Sequence, residues 1–278
     1  MRWMARRARS MSQRVRVLTV LTVLGAAVAY GAALLTPSHV GAEALTARLG
    51  GQTPSEQATT SDTAQPFGGA PAVGALFPMS AGELGDHFCT ASVVHSTHGD
   101  LAVAAAHCVT GISGQIVFVP GYANGKEPYG AWSVTAIYTD QAWQSAQDPD
   151  DDVAFLRLSD AHGVPIEDVT GAERLSTTSK EPALVQVIGY PDDTDQPISC
   201  TNWTKVFSAT QLAFDCDGYT VGTSGGPFLT NVSAASGQGT VIGVIGGYEQ
   251  GGDTSEVSYA ATFGTAVAAL YQTAEAGG

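Results

Sequence analysis

From about Phe67 onward the chain is a succession of short apolar or alternating runs broken by turn residues, and this pattern constrains the fold most. The runs fall at 72–77, 90–94, 101–106, 116–119, 132–138, 153–158, 184–188, 206–209, 211–214, 226–229, 241–245 and 258–262. In 132–138, Trp132, Val134, Ala136 and Tyr138 share one face, the period-2 signature of a strand. Pro120-Gly121 and the Pro/Asp-rich stretch 191–197 mark breaks of the kind that end strands. Short strands with no strong helical segments between them predict an all-β sandwich or barrels. One segment departs from this: Phe263, Ala266, Val267, Leu270 and Tyr271 recur at helical spacing and predict a C-terminal helix.

The first 44 residues follow different physics. Six arginines lie within residues 1–16, followed by 19 uncharged apolar residues (17–35) and the small-residue site Ala42-Glu43-Ala44. A basic start, an apolar core and an A-x-A site make an export signal. The core approaches the length of a spanning helix, so a retained signal anchor is the alternative. Both place the remainder outside the cytoplasm: secreted if the segment is cleaved, membrane-anchored and facing outward if it is kept. Residues 45–66, rich in Thr, Ser, Gln, Ala and Gly, read as a flexible linker or pro-segment. Over the whole chain 12 basic residues face 26 acidic ones, a net of −14. Without residues 1–44 the balance is 6 against 25, or −19. Such a surface excludes a nucleic-acid binder, which needs cations against phosphate.

Three motifs carry chemistry. Gly222-Thr223-Ser224-Gly225-Gly226-Pro227 sets a serine among glycines, where a turn can expose the hydroxyl and aim backbone N–H groups at a developing oxyanion; the plain reading is a hairpin turn. Ala104-Ala105-Ala106-His107-Cys108 ends an apolar run on a histidine, either a core residue or a base. Asp150-Asp151-Asp152 precedes the apolar run 153–158 and reads as a solvated loop or, over 148–152, a calcium site. Asp152, adjoining the strand, is the carboxylate expected to turn inward.

Their order decides between known nucleophile arrangements. Gly222–Gly226 also matches the G-x-S-x-G elbow of α/β-hydrolases, which requires a histidine after the serine. All six histidines (His39, His87, His95, His98, His107 and His162) precede Ser224. A subtilisin order would need an aspartate motif before the histidine, and Asp86 and Asp100 sit in none. The order His107, Asp152, Ser224 is that of the chymotrypsin-like enzymes.

At this point the chain resembles the trypsin-like (chymotrypsin-fold) serine proteases of the secreted bacterial type. The resemblance rests on Phe88-Cys89-Thr90-Ala91-Ser92-Val93-Val94, Ala105-Ala106-His107-Cys108, Asp152-Val153-Ala154-Phe155-Leu156 and Gly222–Pro227, and covers about residues 70–275. It implies two packed six-stranded antiparallel β-barrels, at about 70–170 and 180–275 of a protease domain at 67–278, with a cleft between them and a C-terminal helix. It further implies a serine endopeptidase working through His107, Asp152 and Ser224, with the N–H groups of Gly222 and Ser224 as oxyanion hole. A catalytically silent or esterase-type member of the same fold is the alternative. The four cysteines, in an exported chain, allow three pairings of two disulfides. The resemblance implies Cys89 with Cys108, and with it Cys200 with Cys216. No C-x₂-C pair supports zinc, and no metal or cofactor is expected. The expected partners are protein or peptide substrates, acted on by a monomer, with membrane contact only through an uncleaved anchor.

Two departures from the family bear on regulation and specificity. Thr223 stands where pancreatic-type members carry an aspartate that pairs with a freed N-terminus, so activity is expected to be independent of such an amine. Gly218 stands where trypsin keeps its acid. Gly246, Gly247 and Val257 are expected to line the pocket walls with it, giving an open, apolar pocket, near which Asp217, Glu249 and Glu256 bring negative charge.

Overall fold

The computed structural model describes residues 62–159, 163–179 and 182–277. The expected leader and most of the expected linker lie outside the described residues.

The chain enters through a two-residue strand, β1 (Gln65–Pro66). The first sheet then takes in β2 (Val73–Ser80), β3 (Glu83–Leu84), β4 (Cys89–Val94), β5 (Leu101–Ala104), β6 (Gln115–Pro120), β7 (Trp132–Thr139) and β8 (Ala154–Leu158). Its order is β3-β2-β4-β5-β8-β7-β6, and β6 pairs back onto β2 from Gly74 to Met79, closing six strands into an antiparallel barrel. Closure removes the free edges an open sheet would expose. The second sheet takes in β9 (Arg174–Leu175), β10 (Leu184–Gly189), β11 (Ile198–Val206), β12 (Gln211–Asp215), β13 (Pro227–Thr230), β14 (Thr240–Val244) and β15 (Val257–Ala261), in the order β15-β12-β11-β10-β13-β14-β9. The six strands β10–β15 curl without a ladder between β14 and β15. Gly246 N–H reaches across, to Tyr259 O at 3.0 Å. The molecule is therefore mostly β, a closed six-stranded antiparallel barrel beside a second, curled sheet, with a C-terminal helix.

Three apolar cores explain why so many strands are buried on both faces. Along β2 and the residue before it, Ala72 and Leu76 point into the first barrel, whereas Val73, Ala75 and Phe77 point into a core shared with Ile188, Tyr190, Leu229 and Val244 of the second half. Strand β8 divides the same way, with Ala154 and Leu156 facing inward and Phe155 toward the other sheet. A period-2 backbone sorts alternate residues to opposite sides, so apolar residues at consecutive positions serve two cores at once. In β7 the alternation breaks at a β-bulge between Val134 and Ala136. Val134 packs into the first barrel and Tyr138 into the shared core, although they were expected on one face.

Helix α1 (Ala106–Val109) is a single turn after β5, and α2 (Gln141–Ala146) and α3 (Ile166–Thr170) lie in the connections flanking β8. The C-terminal helix α4 (Thr265–Ala276) follows β15 yet docks on the first barrel. The Arg157 guanidinium of β8 bonds both Asp100 and the carbonyl of Ala274, Tyr271 Oη donates to His95 O at 2.7 Å, and Thr97 N–H donates to Glu275 at 2.9 Å. The helix thus straps the two halves together. Its buried face is Val267, Leu270 and Ala274; Phe263 lies ahead of the helix and Ala266 is exposed, so the expected stripe is displaced by part of a turn.

Two further expectations are corrected. Residues 62–66 are no part of a flexible linker: β1 pairs with Ile198 and Ser199 of β11, Ala64 is buried, and its N–H donates to Asp217 O at 2.8 Å. An edge addition of this sort is made by backbone groups and needs no apolar pattern. In place of a strand at 206–209 there is a turn, closed by Phe207 N–H on Gln211 O, and the strand before it is the polar β11. Among the described residues no helix is long and apolar enough to cross a membrane.

Candidate active site

His107 sits on α1, where β5 leaves the first barrel, and Asp152 sits just before β8, the strand paired with β5. The ladder between Ala104 and Ala154 brings the two loops together. The contact is made at two points. His107 N–H donates to Asp152 Oδ1 at 2.9 Å, and His107 Nδ1 lies 2.7 Å from Oδ2. Asp152 is 1% exposed. Oδ2 also accepts the N–H of Gly247 from the second sheet, at 2.9 Å. A buried carboxylate needs such partners to remain inside. They fix the imidazole by its Nδ1 edge, while Nε2 lies 3.8 Å from Cys108 Sγ. Of the run 150–152 only Asp152 is turned inward. Asp150 Oδ1 accepts from Gln211 Nε2 at 2.7 Å and Asp148 Oδ1 from Asp150 N–H at 3.1 Å, so these acids organise their own loop.

Ser224 lies on the turn ahead of β13 and lines the same cleft as His107, a hollow of about 560 Å³. Its Oγ makes no hydrogen bond among the described residues. The turn is held from behind through its carbonyls. Val221 O accepts Asp192 N–H at 2.9 Å, Gly222 O accepts Thr90 Oγ1 at 3.0 Å, and Ser224 O accepts Thr90 N–H at 2.8 Å. The N–H groups of Gly222 and Ser224 bond to nothing among the described residues. Gly222 has φ +95°, and a Cβ there would lie 2.5 Å from Asp192 N and Tyr190 O. Only glycine fits that backbone.

The disulfides join Cys89 to Cys108 and Cys200 to Cys216, with Cα–Cα separations of 6.1 and 6.7 Å. The first links β4 to the turn bearing His107; the second links β11 to the chain leaving β12. Both suit an oxidising compartment. Cys89, Cys108 and His107 cluster closely enough to hold an ion, but both sulfurs are consumed in the disulfide.

The sequence profile of the family described as Trypsin matches residues 66–270. The chain belongs to the trypsin family. It is a serine-type endopeptidase by that membership. No curated protein matches it in sequence. Its fold is similar to that of a solved protease, Anisep, from Arthrobacter nicotinovorans, with a TM-score of 0.66 and 25% identity over 77% of this chain and 100% of that one. It is also similar to a thermostable serine protease from an extremophilic microorganism (0.64, 23%, covering 75% and 99%) and to a Glu endopeptidase (0.61, 14%, covering 78% and 98%). These last two show the fold alone.

Four residues were expected in the walls of the trypsin-family cleft. Gly218 packs on Ala64, Gly246 on Asp152 and Ala105, and Gly247 on Gln211, while Val257 pairs with Asp215 in the β12–β15 ladder. None of the four lines the hollow. Tyr219–Ser224, Ile245, Glu249–Ser255 and Ser258 do, together with Phe88 and Ile112. In the loop that does line it, Glu249 and Gln250 adopt left-handed φ values of +50° and +54°, and Gly251 and Gly252 follow with positive φ. Of the acids expected nearby, Glu249 lines the cleft, whereas Asp217 is engaged by Ser255 Oγ and Glu256 does not line it. Asp253 lines it too and was missed, because a carboxylate on a glycine-rich loop carries no period to place it.

Proposed function

We propose that the chain is an exported endopeptidase that cleaves peptide bonds through an acyl-enzyme on Ser224. Ser224 Oγ attacks the scissile carbonyl while His107 Nε2 takes its proton and later returns it to the leaving amine. Asp152 holds the neutral tautomer with its proton on Nδ1 and stabilises the imidazolium that forms. The N–H groups of Gly222 and Ser224 receive the oxyanion, a contribution worth about 10²–10³ in rate for a single donor. A nucleophile and its base are commonly loose in a free site and close on the substrate, which accounts for the unbonded Oγ. The observation that carries this reading is the two-point grip of a buried Asp152 on His107, which lines the same hollow as Ser224.

Residues 1–44 direct export as a cleaved signal or a retained anchor. Residues 45–61 then precede a protease domain that acts as a monomer on protein or peptide substrates. Activity needs no freed α-amine: Thr223 Oγ1 is bonded inside its own turn, to Thr220 O at 2.7 Å, where an aspartate would otherwise await a new N-terminus. The cleft carries Glu249 and Asp253 and, among the described residues, no lysine or arginine, so acidic substrate side chains are disfavoured there. A peptide-library cleavage profile of wild type and Ser224→Ala tests the reading. Ser224-dependent cleavage at amide bonds, at least about tenfold slower beside Asp or Glu and less so in high salt, is the expected result. Ester turnover without amide cleavage would establish an esterase, and no Ser224-dependent turnover a silent fold.

A further inference from the structure

We propose that Thr90, on β4 of the first barrel, is a positioning residue that holds the oxyanion turn of the second sheet in its working orientation. The proposal rests on the reading of Gly222 and Ser224 as the oxyanion hole and names the group that sets their geometry. Thr90 is wholly buried and makes three bonds across the boundary between the two halves. Its N–H donates to Ser224 O at 2.8 Å. Its hydroxyl donates to Gly222 O at 3.0 Å and accepts Tyr190 N–H at 2.9 Å. One hydroxyl thus fills both its donor and its acceptor role, as a buried polar group must.

A peptide unit presents its N–H opposite to its C=O, so fixing carbonyls at the back of a turn fixes which N–H groups face the front. Both peptides flanking Gly222 are pinned in this way, one by Asp192 N–H on Val221 O and the other by Thr90 Oγ1 on Gly222 O. Thr90 holds the two units on either side of the Ser224 N–H: Gly222 O belongs to the 222–223 peptide, whose N–H donates to Thr220 O at 3.2 Å, and Ser224 O to the 224–225 peptide, whose N–H donates to Ile245 O at 2.7 Å, so the 223–224 peptide is set between two fixed neighbours and the 221–222 peptide adjoins one of them. The neighbouring residue on β4 serves the base: Cys89 is bonded to Cys108, beside His107. Two consecutive residues of one strand therefore set the base from one side and the nucleophile turn from the other.

The clamp predicts a defect in the transition state rather than in substrate binding. Thr90→Val keeps the branched shape and removes both hydrogen-bonding roles; Thr90→Ser keeps them. With dye-quenched casein, kcat of Thr90→Val should fall about tenfold or more while KM stays within about twofold, and Thr90→Ser should recover most of the loss. The rate of fluorophosphonate labelling of Ser224 should fall in parallel. If the valine variant does not fold, Thr90→Ala provides the same comparison. Wild-type kcat in Thr90→Val, a loss confined to KM, or a serine variant no better than valine would overturn the clamp. Failure of both hydroxyl-free variants to fold would assign Thr90 to the core and overturn it as well. An unlabelled but folded wild type would remove the oxyanion-hole reading itself, and the clamp with it. A labelled wild type matched by Thr90→Val removes the clamp alone.

Discussion

Replacing Glu173 by glutamine should stabilise the protein at alkaline pH and leave it nearly unchanged in acid. Glu173 lies in the crossing between the two halves, where its N–H and C=O bond Val93 and His95 of the first barrel. Its side chain is wholly buried, with Oε2 accepting Gly239 N–H at 2.5 Å and Oε1 without a hydrogen-bond partner among the described residues. Burial pushes its carboxyl from an ordinary 4.5 up to about 7, against the smaller opposing effect of the Gly239 bond. The folded state therefore holds a proton that the unfolded chain has already lost. That contribution to stability is full below pH 4.5, declines as pH rises, and is gone above about 7. The window is worth about 3 kcal/mol at 1.36 kcal/mol per pH unit. Glutamine keeps an acceptor for Gly239 and carries no charge. Thermal melts of wild type and Glu173→Gln should nearly coincide at pH 4.5 and separate by roughly 6–12 °C at pH 8.5, taking about 2–4 °C per kcal/mol for a domain of this size. An equal gap at both pH values would show that Glu173 does not carry the buried proton.

Two other substitutions probe the turn and the N-terminal edge. Gly222→Ala forces a Cβ to 2.5 Å from Tyr190 O and Asp192 N at positive φ, and turnover should fall about 10²–10³-fold in a protein that still folds; activity near wild type would mean that this N–H is dispensable. A chain beginning at residue 67 lacks β1 and the Ala64–Asp217 bond, so it should melt roughly 4–10 °C below one beginning at residue 45. Coincident melting curves would show that β1 adds nothing to the fold.

What the sequence disclosed depended on how closely chemistry tied residue type to position. His107, Asp152, Ser224 and Gly222 stand in short motifs whose spacing survives any loop length, and the structure sets His107, Gly222 and Ser224 around one cleft with Asp152 buried against His107. Most strands were visible because barrel and inter-barrel cores demand apolar residues on both faces, as in β2 and β5. Strand β11 was missed because it is held by backbone ladders to β10 and β12 while carrying Ser199, Thr201, Asn202 and Lys205. Strand β1 was missed for the same reason. The loop 250–255, which lines the cleft, was not legible because its run of positive φ values at 250–252 is a conformation no side-chain pattern announces. Thr90 lay inside a quoted motif, but its importance comes from Gly222 and Tyr190, more than 90 residues away, and only the fold brings them together.

The central claim is that Ser224 is the activated nucleophile, and fluorophosphonate labelling followed by peptide mapping tests it most directly. One adduct per folded molecule, located on Ser224, absent in Ser224→Ala and slowed by orders of magnitude in His107→Ala, is the predicted result. An adduct at another residue, or none in folded wild-type protein, would contradict it.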